Sequence, residues 1–252
     1  MAVEKVIGIA VLSGKGGVGK SAISLNLALG LGSLGVKTLL FDAGGGDLVN
    51  MTNSGIIGNS TDETCLANLT ENVALHSPST PEFYSVFDEN DIDDFLADII
   101  KVVSGYKCVV FDCPSGSGPV PYTLAGLSEI SIVVSTPDPT SIAAAYLLTK
   151  SLYFDGLAKR CGILFNQVES PDQAASLQTR FNLLTRQFIQ HEFEHVGYVH
   201  QDNLLAESIL EQQPLLMTNQ GARSGMDIIK LVENIHLNST LHFETANLKS
   251  QS

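Results

Sequence analysis

Residues Gly14 to Ser21 read GKGGVGKS and fill every fixed position of the pattern G-x-x-x-x-G-K-[ST]. The stretch follows an apolar run, Val6 to Leu12, and opens a helix-like segment, Lys20 to Leu34. That order gives the glycines a mechanical meaning. Where a strand hands over to a helix, Gly14, Gly16, Gly17 and Gly19 let the backbone wrap a polyphosphate with its N–H groups turned inward. The same cradle takes in Val18, Lys20, Ser21 and Ala22. The helix N-terminus near Lys20 adds partial positive charge at that spot. Lys20 then reaches the β- and γ-phosphates, and the Ser21 hydroxyl is a ligand for Mg²⁺. A glycine-rich turn without a ligand is the plain alternative, and the arrival of strand, loop and helix in the right order speaks against it. The chain reads as a nucleotide binder.

Composition limits what else it does. The chain has 252 residues, 44% of them hydrophobic and 16% charged, which suits one large α/β domain with a substantial core. Apolar stretches such as Ile130 to Val134 fall far below the roughly 18 residues of a membrane span. Met1 to Val11 lacks the basic start and long apolar region of a secretory signal, so a cytoplasmic protein is expected. The four cysteines, Cys65, Cys108, Cys113 and Cys161, form no C-x-x-C pair or zinc spacing. Cys108 and Cys161 sit in strand-like runs as small buried hydrophobes. The net charge of −13, with 14 basic residues in no long run, disfavours nonspecific DNA binding and attachment to anionic lipid.

Along the chain, apolar runs of five to seven residues alternate with longer amphipathic stretches, the pattern of a mostly parallel twisted sheet flanked by helices on both faces. Strands are expected at Val6–Leu12, Thr38–Asp42, Val73–His76, Cys108–Asp112, Ile130–Ser135, Gly162–Asn166 and His195–Tyr198. Helices are expected at Lys20–Leu34, Ile92–Ser104, Tyr122–Leu127, Ser141–Tyr153, Asp172–Gln190, Asn203–Glu211 and Gly225–Ile235. Asp138-Pro139-Thr140 supplies a cap for the helix at Ser141. Residues 1–238 are expected to form one domain, and the polar, aperiodic segment 239–252 a frayed tail. The acidic run Asp88 to Asp94 (DENDIDD) reads as helix N-terminal charge favoured by the macrodipole, not as a metal site.

Cys108 to Asp112 (CVVFD) is an apolar strand ending in an acid, as expected of the second nucleotide motif, with Asp112 holding Mg²⁺ or its water from opposite Ser21. Lys15, directly after the first glycine, resembles the variant loop of the MinD/ParA group of P-loop ATPases, and DCPSG at Asp112 to Gly116 resembles that group's DCPAG segment. Thr136 to Lys150 (TPDPTSIAAAYLLTK) resembles a segment of the flagellar regulators FlhG and FleN, a branch of the MinD group. Gly162 to Val168 (GILFNQV) is similar to the family strand ending in an adenine-recognising Asn, here Asn166, and a neutral amide can donate and accept along one base edge. Gly197 to Asp202 (GYVHQD) resembles the G-x-I-P-x-D loop beside the base, with His200 where Pro is usual, and LAESILEQQP at Leu205 to Pro214 continues the likeness. The resemblance implies ATP or ADP with Mg²⁺, an ATP-dependent homodimer in which Lys15 reaches the partner's nucleotide, and protein partners such as flagellar or polarity factors that recruit it to a cell pole.

Two departures qualify it. The family's D-x-D carries a second acid that positions the attacking water, but after Asp42 this chain reads AGGGD and puts Gly44 there. Either the water loses its orienting carboxylate or Asp47 takes over from further along. Losing it leaves binding intact while slowing hydrolysis strongly. FlhG-like proteins also carry an N-terminal D-Q-A-x-x-L motif and, like MinD, an amphipathic membrane-targeting tail. The sequence starts almost at the first strand, so the activity of that motif is not expected. His236 to Ser252 has only Lys249 as a cation, so no membrane tail is expected. The reading is a dimerising ATP switch with Lys15, Lys20, Asp42 and Asp47 in the reaction centre. A non-hydrolysing ATP-binding module and a ParA-like DNA-segregation ATPase are its rivals.

Overall fold

A computed structural model describes residues 5–45, 47–53, 64–78, 92–158 and 160–249. In chain order the elements are β1 (Ile7–Leu12), α1 (Lys20–Ser33), β2 (Thr38–Asp42), α2 (Asp47–Thr52), β3 (Thr64–Asn68), β4 (Val73–Pro78), α3 (Ile92–Val103) and β5 (Cys108–Asp112). There follow α4 (Pro119–Leu127), β6 (Ile130–Ser135), α5 (Pro139–Phe154), β7 (Cys161–Val168), α6 (Pro171–Ile189), β8 (Glu194–His200), α7 (Asn203–Leu210), α8 (Leu215–Thr218) and α9 (Arg223–Lys249). The strands form one sheet in the order β3-β4-β2-β5-β1-β6-β7-β8. Every neighbouring pair is parallel except β3 with β4.

The sequence explains this arrangement. Strands β2, β5 and β6 are buried along their whole length, as continuous apolar runs must be when helices cover both faces of a parallel sheet. The core divides in two across the sheet. One half joins Ile9, Val11, Leu40 and Val110 to α1, α8 and α9; the other joins Ala10, Leu12, Phe41 and Phe111 to α3, α4, α5 and α6. Helix α1 is buried from Ala22 to Gly32 because α9 and α8 cover the side turned away from the sheet. Its buried Asn26 accepts the Leu216 N–H at 3.0 Å, giving a polar anchor inside an apolar layer. Three helices start where caps predict. Asp138, Ser170 and Asp202 accept backbone N–H groups at the starts of α5, α6 and α7, and Pro occupies the first turn of α5 and α6.

All seven expected strands and seven expected helices are present, with ends that differ by a few residues except in the last helix, and three elements go beyond the periodicity. Strand β3 is a short antiparallel edge strand, joined to β4 by a tight turn in which Leu69 N and Thr70 N donate to Val73 O. Helices α2 and α8, six and four residues long, are too short to show a helical period. The last helix corrects the expected end at Ile235: helical backbone runs on to Lys249, since no glycine or proline interrupts residues 226–249. Of the acidic run, residues 88–91 lie outside the described residues, and α3 begins at Ile92.

Alanine ordinarily improves on glycine inside a helix by about 1 kcal/mol. In α1 the sign should reverse. A Cβ at Gly30 would stand 2.5 Å from Val232 Cγ2, and one at Gly32 2.3 Å from Val73 Cγ2, with both valines buried. G30A and G32A are each expected to cost about 1–3 kcal/mol of stability through overpacking, read as a fall in the calorimetric midpoint. A raised midpoint in either would show that these contacts have slack.

Candidate nucleotide site

The site lies at the carboxyl ends of the strands, where β1 sits between β5 and β6 and the strand order reverses, the crevice in which open α/β sheets bind ligands. Gly17 and Gly19 adopt φ of 77° and 85°, left-handed values that glycine reaches without strain. Gly19 is the N-cap of α1 and no side chain caps the helix, which leaves its first N–H groups to the loop. The loop is gripped from two sides. Gly116 N donates to Ser13 O at 2.8 Å, and Gly14 lies so close to α5 that a Cβ there would be 2.3 Å from Ala144 O.

Inside the loop, Lys20 Nζ donates to Asp112 Oδ1 at 2.7 Å, with Lys20 7% exposed and Asp112 fully buried. Ser24 Oγ donates to the same oxygen at 2.9 Å. The other oxygen, Oδ2, is buried without a hydrogen-bond partner among the described residues. A buried carboxylate oxygen left bare fits a cation, and Ser21 is the second residue of α1, so Asp112 and Ser21 are a donor set suited to Mg²⁺. Asp42, at the end of β2, is fully buried and accepts Gly44 N at 3.0 Å and Ser77 Oγ at 3.2 Å. Gly44 faces this pair of acids: a Cβ on it would lie 3.4 Å from Asp112 Oδ2 and 3.6 Å from Asp42 Oδ1. Asp47 stands apart, exposed in the first turn of α2. Burial pushes the Cys113 thiol beside Asp112 well above its ordinary value, and the Cys108 and Cys161 thiols up to about 12, so none of the three is a nucleophile.

Lys15 points elsewhere. Its Nζ donates to Asp138 Oδ2 at 2.8 Å and to Thr140 Oγ1 at 2.6 Å. Asp138 is also the cap of α5, accepting Ser141 N at 3.2 Å, and it takes the Thr140 hydroxyl too. The Lys15 ammonium, with Thr140 next in weight, holds the Asp138 carboxyl well below the usual carboxylate range. The sequence marks Asp138 only as a cap; its hold on Lys15 spans 123 residues and leaves no local signal. Ser24 is more legible, one helical turn after Lys20 on α1.

The residues expected around the base are brought together at the ends of β7 and β8. Asn166 is 2% exposed and wedged beneath the phosphate loop, its Nδ2 donating to Val18 O at 2.8 Å and its Oδ1 accepting Gln167 N at 2.9 Å. Asp202 accepts Leu204 N at 3.0 Å with one oxygen, and Ser224 N and Oγ at 3.0 and 2.9 Å with the other. Burial alone would raise its carboxyl, but the hydrogen bonds from Ser224 and Leu204 outweigh this and set it lower. His200 N and Nδ1 both bond Asp227 Oδ2, at 3.0 and 2.6 Å. The loop after β8 is therefore tied to the first turns of α9 by two acids. Among the described residues no helix is long and apolar enough to cross a membrane.

The profile of the CobQ/CobB/MinD/ParA nucleotide binding domain matches residues 9–215. The chain is 28% identical to the antiactivator FleN of Pseudomonas aeruginosa over 220 residues, which covers 81% of this chain and 77% of FleN. It is 30% identical to the flagellum site-determining protein YlxH of Helicobacter pylori over 224 residues, covering 82% of this chain and 74% of YlxH. Among solved structures, the cell division ATPase MinD of Pyrococcus furiosus superposes with a TM-score of 0.70 at 20% identity, over 92% of this chain and 99% of that one.

The contact between Lys15 and Asp138 is open to titration. By NMR, the Asp138 carboxyl should stay ionised below the pH at which ordinary carboxylates protonate, and should move back toward the ordinary range in K15A. The stability it contributes is present above the unfolded-state value and lost as pH falls through the folded one. An unchanged Asp138 titration in K15A would refute the contact.

Proposed function

Because this chain belongs to the CobQ/CobB/MinD/ParA nucleotide-binding family, we propose that it is an ATP-operated dimerisation switch governing the number or placement of flagella, or of another polar structure, through protein partners. The single observation that carries the switch is the position of Lys15. A loop lysine beside the phosphate cradle is held by its own subunit, on Asp138 and Thr140, by a contact that is half exposed. Exposed ion pairs are worth only about 0–1 kcal/mol, so the charge of a triphosphate competes easily for this cation. In a face-to-face pair of subunits Lys15 leaves Asp138 for the nucleotide of the other subunit. The acid it leaves is the cap of α5, so the start of that helix responds to the exchange. The flagellar reading draws on the likeness to FleN and YlxH, and recruitment to a pole through a partner accords with it.

The chain's own groups account for ATP binding. The N–H groups of the glycine loop and the start of α1 bind the phosphates, and Lys20 transfers from Asp112 to the β- and γ-oxygens. Mg²⁺, when bound, neutralises charge on those oxygens, and Ser21 and Asp112 are the residues that hold it. Hydrolysis needs, in addition, a group that orients the attacking water. The acids at Asp42 and Asp112 are present, but the group facing them from the next turn is a hydrogen atom on Gly44. Asp47, exposed on α2, substitutes only if the glycine turn before it moves. This favours slow turnover, and its limiting case is a module that binds ATP without useful hydrolysis. DNA segregation of the ParA kind is opposed by the net charge of −13.

Light scattering with Mg²⁺ and ATP is expected to show a doubled mass for the wild type and an unchanged mass for K15A, with ATP still bound. A wild type that binds ATP and stays monomeric would sink the switch. For turnover, G44D is expected to raise the ATPase rate by about tenfold or more, because it restores a carboxylate where a Cβ meets no clash, and positioning a reactant is commonly worth that much. D47A separates the two readings of the loop: a wild-type rate abolished by D47A would assign the water to Asp47.

A further inference from the structure

We infer that Ser24, a residue beyond the phosphate loop, is the positioning residue of the cation site. Its hydroxyl holds Asp112 by one oxygen, keeps the other turned toward the reaction centre, and stays in place when Lys20 leaves for the phosphates. The inference rests on the nucleotide reading above. Its first ground is a hydroxyl with more acceptors than protons. Ser24 is fully buried on α1, and its Oγ stands 3.1 Å from Lys20 O and 2.9 Å from Asp112 Oδ1. A buried hydroxyl in a helix is satisfied by carbonyls one turn back, as Thr149 is on α5. Ser24 therefore has no need of Asp112 for its own sake. It has one proton to give, and the carboxylate, as a charged acceptor, makes the stronger bond.

The second ground is the division of labour on Asp112. Oδ1 takes both donors, Lys20 Nζ at 2.7 Å and Ser24 Oγ at 2.9 Å. Oδ2 has no hydrogen-bond partner among the described residues and faces Gly44, where a Cβ would lie 3.4 Å away. The terminal torsion of an aspartate is broad and roughly two-fold, so nothing covalent fixes which oxygen faces which way. The donors on Oδ1 fix it.

The two donors differ in what they can do next. Lys20 Nζ rides on a flexible four-carbon stem and can swing from the carboxylate to a phosphate. Ser24 Oγ sits one bond from its Cβ on a buried stretch of α1 and cannot follow. Once the ammonium has gone, Ser24 is the donor left on Oδ1. It offsets part of a buried charge and keeps Oδ2 as the free oxygen for the divalent cation that Ser21 helps to hold.

Titration calorimetry of the full chain with ATP, once with Mg²⁺ and once with EDTA, tests this. The wild type is expected to bind ATP more tightly with Mg²⁺, and the ratio of the two affinities reads the hold on the cation. S24A removes one oxygen atom and puts the best helix former in its place, so the fold should survive. In S24A the Mg²⁺-dependent gain should fall by about tenfold, the lower end of what losing the partner of a metal ligand costs, while affinity in EDTA is unchanged. A serine that only packs would, when lost, lower the thermal midpoint and shift both affinities alike. S24A with the wild-type ratio overturns the inference, and so does a wild type whose ATP affinity is the same in both buffers. A wild type that binds ATP in neither buffer sinks the nucleotide reading as well.

Discussion

The ion pair between Lys20 and Asp112 holds the site together. It joins the first residue of α1 to the last residue of β5 at 2.7 Å, with Ser24 as a third member, in a region closed to water. Burying two opposite charges gains little net stability, because desolvation cancels much of their attraction. Its value is conditional. Each charge tolerates burial only while the other is near, so the start of α1 and the end of β5 are fixed relative to each other. The glycine loop between β1 and α1 has to close within that fixed span. In the proposed ATP-bound state, phosphate on the lysine and metal on the carboxylate would replace the two halves of the pair, the same electrostatic problem met with different partners.

Much of this is legible in the sequence, because parallel strands covered on both faces must be continuous apolar runs. CVVFD, ISIVVS and TLLFD say what they are without help. The same holds for GKGGVGKS, whose glycines have meaning only between a strand and a helix. What stays hidden is of two kinds. Short helices such as α2 and α8 have too few residues for a period, and β3 is an edge strand whose pairing comes from a turn. Long-range pairings are the other kind. Asp138 declares itself as a cap, and Asn166 as a polar residue at a strand end, but neither declares its second duty, on Lys15 or on Val18. Those duties depend on loops that meet only after the sheet is built.

The glycines illustrate how position decides meaning. Gly14 is required because the backbone of α5 stands where its side chain would be, and Gly19 because the chain turns left-handed over Asn166. Gly44 is different. It has ordinary room for a side chain and carries none, so its lack of a carboxylate reflects no packing demand. A residue dispensable to the fold, beside two buried acids, is where one scaffold can be tuned between fast and slow clocks without altering its stability.

The long final helix is held along its first half: Ser224 bonds Asp202, Asp227 bonds His200, and Ile228, Leu231, Val232 and Ile235 are buried in the core. Beyond that packing the helical backbone continues to Lys249, an arm of about 20 Å at about 1.5 Å per residue. A tilt of about 5° where the arm leaves the core moves its tip by about 2 Å. A small repacking of the α1–α9 layer is therefore enlarged at the far end of the chain's last helix.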